Sequence, residues 1–208
     1  CTTEMVSAEA LTRGSQKTAA LMERAPSETS YAVQIFGGNA DVMAEAAKIV
    51  LQTTPCTSID INGGCPVPKI IKSGAGSCLT RDPDLLYAIV SSVKSASESF
   101  AKAHPERGNV PVTIKIRSGW DSSHLTWKEC AKAALEAGAD AITIHARTRA
   151  QGYEGKADWQ IQRQLVEFVN GKIPVFGSGD ANTPESAKAM LEQTGADVDA
   201  LEQELKQE

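Results

Sequence analysis

IDINGGCPVPKIIKSGAGSCL, Ile59 to Leu79, runs a short buried-strand pattern straight into reactive and glycine-rich sequence. Ser58 to Ile61 reads as a strand. Asn62-Gly63-Gly64-Cys65-Pro66 breaks it, because paired glycines permit backbone shapes that other residues resist and Pro66 cannot donate to a ladder. The Cys65 thiol and the Asn62 amide are thereby placed at a strand's C-terminal end, the edge on which parallel α/β proteins build their sites. Spacing alone leaves two readings of Cys65 open, a reactive group or a small buried apolar residue, since free cysteine is commonly buried and inert.

Working outward, the same strand-loop-helix unit recurs. After the glycine loop, Asp82-Pro83 form an N-cap and N1 pair for a long helix to about Ala103. Val110 to Ile116 reads as a strand, Thr126 to Ala137 as a helix, Ala141 to His145 as a strand and Ala157 to Val169 as a helix. Ile173 to Phe176 is the next strand, and Thr183-Pro184 opens a helix to about Gln193. Upstream, Thr2 to Val6 reads as a strand and one helix follows from about Ser7 through Leu21. Tyr31 to Phe36 is a strand ended by Gly37-Gly38-Asn39, and Ala40 to Leu51 is a helix with Val42, Met43, Ala46, Ala47 and Val50 at helical spacing. Six strands alternating with six helices imply a parallel α/β sheet, and the repeat favours a (β/α)8 TIM-type barrel over an open sheet. No GxGxxG follows the first strands, which weakens a dinucleotide-binding fold.

The chain has 208 residues, 41% of them hydrophobic, and a net charge of −5. That length suits one domain with a real core. The acidic balance argues against broad nonspecific attraction to nucleic acid, so any RNA contact must come from a local cluster, for which Lys69, Lys72, Arg81, Lys115, Arg117, Arg147 and Arg149 are the candidates. Five scattered cysteines form no CxxC pair, which favours neither a disulfide framework nor a metal site and fits a reducing cytoplasm. No stretch approaches the roughly 20 apolar residues of a membrane span.

DINGGCPVPKIIKSGAGSCLTRDP resembles the active-site loop of the tRNA-dihydrouridine synthases, most closely their bacterial B-type branch. The likeness extends in order through TEMVSAEAL (Thr3 to Leu11), VQIFG (Val33 to Gly37), TIKIRSGWD (Thr113 to Asp121), TIHARTRAQGYEGKADW (Thr143 to Trp159) and PVFGSGD (Pro174 to Asp180). It implies an FMN-dependent oxidoreductase, using NADPH or NADH as reductant, that reduces a uridine of tRNA. Cys65 would be the proton donor. Gln34, Lys115, His145 and the Ser178-Gly179-Asp180 turn would hold FMN, with Lys115 opposite the face of Val112, Ile114 and Ile116. Asn62, Lys69, Arg117, Arg147 and Arg149 would contact tRNA. Without the resemblance His145 would read as a hydrogen-bonded core histidine and Gln34 as a polar filler.

The family usually shows Asn where Ser178 stands and a bulky residue where Gly63 stands, the second change implying a looser Cys65 loop. By the same resemblance residues 1–198 would be an incomplete barrel holding strands two to seven of eight, the strand before Cys1 and the one after Val198 being missing. Residues 199–208 would be a polar helical or disordered tail, and such a barrel, open on two neighbouring edges, is expected to bind flavin weakly by itself. The full-length form is expected to be a monomer. Two alternatives compete with this reading: an FMN barrel acting on a free pyrimidine, such as a dihydroorotate or dihydropyrimidine dehydrogenase, and a non-catalytic remnant.

Overall fold

The computed structural model describes residues 1–198. Seven strands form one sheet in which neighbours in sequence are neighbours in space: β1 (Val6–Ser7), β2 (Ala32–Phe36), β3 (Ser58–Gly63), β4 (Val112–Arg117), β5 (Ala141–His145), β6 (Val175–Ser178) and β7 (Asp197–Val198). Every pair is parallel. A doubly wound sheet reverses its strand order at a switch point, whereas this order never reverses, which is the arrangement of a (β/α) barrel wall. The sheet holds one strand more than the six read from the sequence. Asp197 and Val198 pair with Phe176 and Gly177, and a two-residue strand carries too little pattern to be read before its partner is known. The expected tail, 199–208, lies outside the described residues.

The helices are α1 (Ala8–Thr12), α2 (Gln16–Ala20), α3 (Ala40–Thr53), α4 (Pro68–Lys72), α5 (Pro83–Ala103), α6 (Trp127–Glu136), α7 (Trp159–Val169) and α8 (Pro184–Thr194). The single helix expected from Ser7 is two short ones. Gly14 adopts φ +77, and Ser15 starts again by accepting from the Thr18 N–H. Asn39, Asp82 and Thr183 cap α3, α5 and α8 with their side chains, and Pro83 and Pro184 follow at the first turn. The glycine loop is less irregular than its composition suggests, since it contains α4 and a 3-10 turn over Gly76–Arg81.

Alternation along the strands sorts residues between two environments. Val33 and Ile35, Ile59 and Ile61, Val112, Ile114 and Ile116, and Ile142 and Ile144 are all fully buried, and they pack beside α3 residues Met43, Ala47 and Val50 and α5 residues Leu86, Ile89 and Val93 in one cluster. The intervening positions form the other face: Gln34, Asp60, Asn62, Thr113, Lys115, Thr143, His145 and Ser178. A barrel interior is ordinarily filled by branched apolar residues. Here that row is polar, which marks it as a site.

Candidate active site at the C-terminal strand edge

Register brings the polar row together. Asn62 pairs with Lys115, Lys115 with Thr143, Arg117 with His145, and His145 with Ser178. Lys115 Nζ lies 3.3 Å from Ser178 Oγ. Gln34, Lys115 and Ser178 also line a half-open pocket of about 380 Å³ that runs past Asp60, Thr113 and Phe176 toward Ser30, Pro111 and Pro174 at the opposite, N-terminal strand ends.

The Cys65 loop is tied on every side. Asn62 Oδ1 accepts from the N–H groups of Gly64 (3.2 Å) and Cys65 (2.9 Å). Gly64 O accepts from Ser77 Oγ at 2.6 Å and from Arg117 Nε at 2.9 Å. Cys65 O accepts from the Ser77 N–H at 3.0 Å. Gly76, at φ +61, must be glycine, because a Cβ there would stand 2.7 Å from Cys65 O. Gly63, from which a looser loop was expected, pairs with Ile116, and a Cβ there would sit 3.1 Å from Lys115 O, so the strands are close at this point. Cys65 itself is left half-buried just past the end of β3.

Three of the expected substrate contacts are placed differently. Asn62 is buried and directs both ends of its amide to protein, Nδ2 donating to Gln34 Oε1 at 2.8 Å. Arg117, 3% exposed, donates through Nη1 to Thr148 O (3.0 Å) and Gly152 O (2.7 Å) as well as to Gly64 O. Arg147, 6% exposed, donates to Glu154 O, Gly155 O and Asp180 Oδ1. Each was expected at a tRNA phosphate or base; here their donors go to protein acceptors and brace the loops. Lys69, on α4, and the partly exposed Arg149 remain outward. Arg149 Cζ lies 4.6 Å from the centroid of the Trp120 ring, and Arg81 Cζ lies 4.7 Å from the same centroid. This stack was not foreseen from sequence, although its members are two of the basic candidates and a Trp after Gly119. Tyr153, 77% exposed between Gly152 and Gly155, also escaped notice; its ring lies 6.1 Å from His145 and 5.6 Å from Arg117 Cζ.

His145 is buried, and its pKa is lowered to about 3, first by burial and then by the charges of Arg117, Lys115 and Arg147. Its Nε2, 3.2 Å from Arg147 Nη1, must be the acceptor because a guanidinium only donates, which assigns the proton to Nδ1. Unfolding frees this imidazole to protonate at its ordinary value of 6.5. The unfolded chain then holds the extra proton between those two values, so the contribution is complete above 6.5 and is lost as pH falls toward about 3. Its slope is at most about 1.4 kcal/mol per pH unit. Chemical denaturation across this window is expected to show His145→Gln with a flatter stability profile than the parent; parallel profiles would refute the assignment.

Asp180 adopts φ +64, a left-handed conformation uncommon outside glycine. Burial raises its carboxyl, but the Ala157 N–H (2.6 Å) and Arg147 outweigh that and hold it below the ordinary range. Since the carboxylate faces Arg147 and Ala157, its charge is neutralised locally and the turn stays compatible with an anionic group. Gly179 lets this turn lie against His145, where a Cβ would meet the ring at 3.0 Å. The donors of Lys115, Ser178 and neutral His145 suit a polar heteroaromatic ring able to carry negative charge, and Gln34 can add the second hydrogen of an amide that already serves Asp60 and Asn62. Cys56 and Cys130 lie away from this edge among apolar side chains; burial raises both thiols, Cys130 to about 12.

A family model described as "Dihydrouridine synthase (Dus)" matches residues 1–199. The chain is 52% identical over 194 residues to a "Probable tRNA-dihydrouridine synthase" of Treponema pallidum (strain Nichols), covering 92% of this chain and 55% of that protein. It is 39% identical to "tRNA-dihydrouridine synthase B" of Pseudomonas putida, covering 93% and 53%. The chain thus spans about half the length of the curated relatives it matches. Among solved structures, the ligand-free type DHODH from Eimeria tenella superposes with a TM-score of 0.59 at 18% identity, covering 93% of this chain and 58% of that one, a likeness of fold.

Proposed function

Because the chain belongs to the dihydrouridine synthase family, we propose that the protein carrying this barrel reduces a uridine of tRNA to dihydrouridine, with Cys65 as proton donor. The observation that carries the reading is the half-buried Cys65, whose loop backbone is held by Asn62, Ser77 and Arg117 at the strand edge that also carries Lys115, His145 and Ser178. FMN held by these four side chains and the Gly179-Asp180 turn would supply hydride to C6 of the uracil, NADPH or NADH being the reductant.

The protein's own part is positioning and proton transfer. Lys115 brings a cation to the site, where it opposes negative charge developing on the bound ring. His145, kept neutral, offers hydrogen bonding without competing charge. Cys65 Sγ gives its proton to C5 and regains one from solvent. Lys69 and Arg81 are exposed and Arg149 partly so, which suits phosphate contacts, and the exposed Tyr153 suits stacking on a base. An enzyme for a free pyrimidine would not need that outward basic and aromatic rim.

The full-length protein is expected to absorb near 450 nm and, with NADPH, to form dihydrouridine in unmodified tRNA. Turnover of free uracil or dihydroorotate, with tRNA untouched, would overturn the proposal.

A further inference from the structure

Side chains on three neighbouring strands make an unbroken line of hydrogen bonds that ends on the backbone of Cys65. Thr113 Oγ1 donates to Asp60 Oδ1 at 2.5 Å, and Gln34 Nε2 donates to Asp60 Oδ2 at 2.7 Å. Asn62 Nδ2 then donates to Gln34 Oε1 at 2.8 Å, and the Cys65 N–H donates to Asn62 Oδ1 at 2.9 Å. Strand register makes the line possible: Gln34 pairs with Asp60 and Asp60 with Thr113, while Asn62 stands two residues on from Asp60, on the same face of β3.

A carboxamide turned by half a revolution exchanges donor for acceptor at little steric cost, so two amides in series could adopt several arrangements. Asp60 removes the choice. Both Asp60 oxygens stand as acceptors, Oδ1 from Thr113 and Oδ2 from Gln34, so Gln34 turns its NH2 toward Asp60 and its oxygen toward Asn62. Asn62 must then turn its NH2 toward Gln34 and its oxygen toward the Cys65 loop. The N–H groups of Gly64 and Cys65 demand that same orientation from the other end. Asp60 is 7% exposed and far down the strand from the thiol.

The geometry points to Asp60 as a positioning residue for Cys65, acting through Gln34 and Asn62. The value of this for catalysis rests on Cys65 being the proton donor; the line itself and its test do not. What the line needs at position 60 is an acceptor. Asp60→Asn still offers one, since Thr113 can reverse its hydroxyl, whereas Asp60→Leu offers none. Gln34→Leu cuts the same line one link further on.

The test is the rate at which iodoacetamide alkylates each cysteine of the full-length protein, read peptide by peptide. Asp60→Leu and Gln34→Leu are each expected to raise Cys65 alkylation about fivefold, the factor that one ordinary hydrogen bond is worth in a local opening. The pair together should raise it no further, because both cut one line, and Asp60→Asn should stay near the parent rate. Buried Cys130 should remain unreactive throughout. An unchanged Cys65 rate in the Leu variants, multiplication of the two effects in the pair, or an Asp60→Asn rate equal to that of Asp60→Leu would overturn the inference. If Asp60→Leu unfolds and exposes Cys130, Gln34→Leu against Asp60→Asn decides in the same way. These rates need neither flavin nor tRNA, so a wrong substrate assignment and a wrong positioning role fail separately.

Discussion

Cys65→Ala in the full-length protein is expected to lower dihydrouridine formation by a factor of about 10² to 10⁴, the usual contribution of a general acid. On the proposed reading substrate and flavin contacts fall to other residues, so the loss should fall on turnover more than on tRNA affinity. The loop itself should survive, because every tie that shapes it runs through the backbone of residues 64 and 65 and not through the thiol. Cys78→Ala is the matched control: its thiol donates to Ile71 O at 3.1 Å within the loop, and the substitution should be close to neutral. Single-turnover measurement of uracil reduction separates the two. Near-normal reduction by Cys65→Ala would remove this residue from the mechanism.

Arg147→Ala is expected to cost about 3 kcal/mol of stability, the low end of what breaking a buried ion pair takes. The low end applies because the Asp180 side chain is 36% exposed, so water can partly replace the lost partner. The carbonyls of Glu154 and Gly155 lose a donor as well. In a chain of this size such a loss lowers the melting temperature by about 6 to 12 °C. Asp180 should suffer locally, since its left-handed backbone and its lowered carboxyl pKa both depend on this clamp. Asp180→Asn, which keeps an acceptor for the Ala157 N–H, should lose less. A melting temperature for Arg147→Ala equal to that of the parent would mean that the clamp carries no stability.

The candidate site separates into what local pattern reveals and what it conceals. Strand ends, caps and turn glycines act over a few residues, so Asn39, Asp82 and Thr183 could be assigned as helix starts and Cys65 could be placed at a strand edge from order along the chain alone. Gln34, Lys115, His145 and Ser178 were named through resemblance, and strand register then set Lys115 beside Ser178 and His145 beside Ser178. Arg117 and Arg147 show the limit. A cationic side chain near a predicted site reads as a ligand for phosphate, and only packing shows that Arg117 is buried against carbonyls of a distant loop and Arg147 against those of its own loop and the distant Asp180. The break at Gly14 and the two-residue β7 were hidden for a related reason, since neither changes hydrophobic periodicity enough to be seen in a window.

Sequence by itself determined the alternation that builds a parallel sheet with helices outside it, because periods of two and of about three and a half residues report burial directly. It also determined the family, through ordered blocks. Only the tertiary structure decided which polar groups are spent on one another: Asp60 on Gln34, Gln34 on Asn62, and Asn62 on the Cys65 loop. Hydrogen bonds between strands depend on register and side-chain direction across 26 to 28 residues of separation, and no local propensity encodes either.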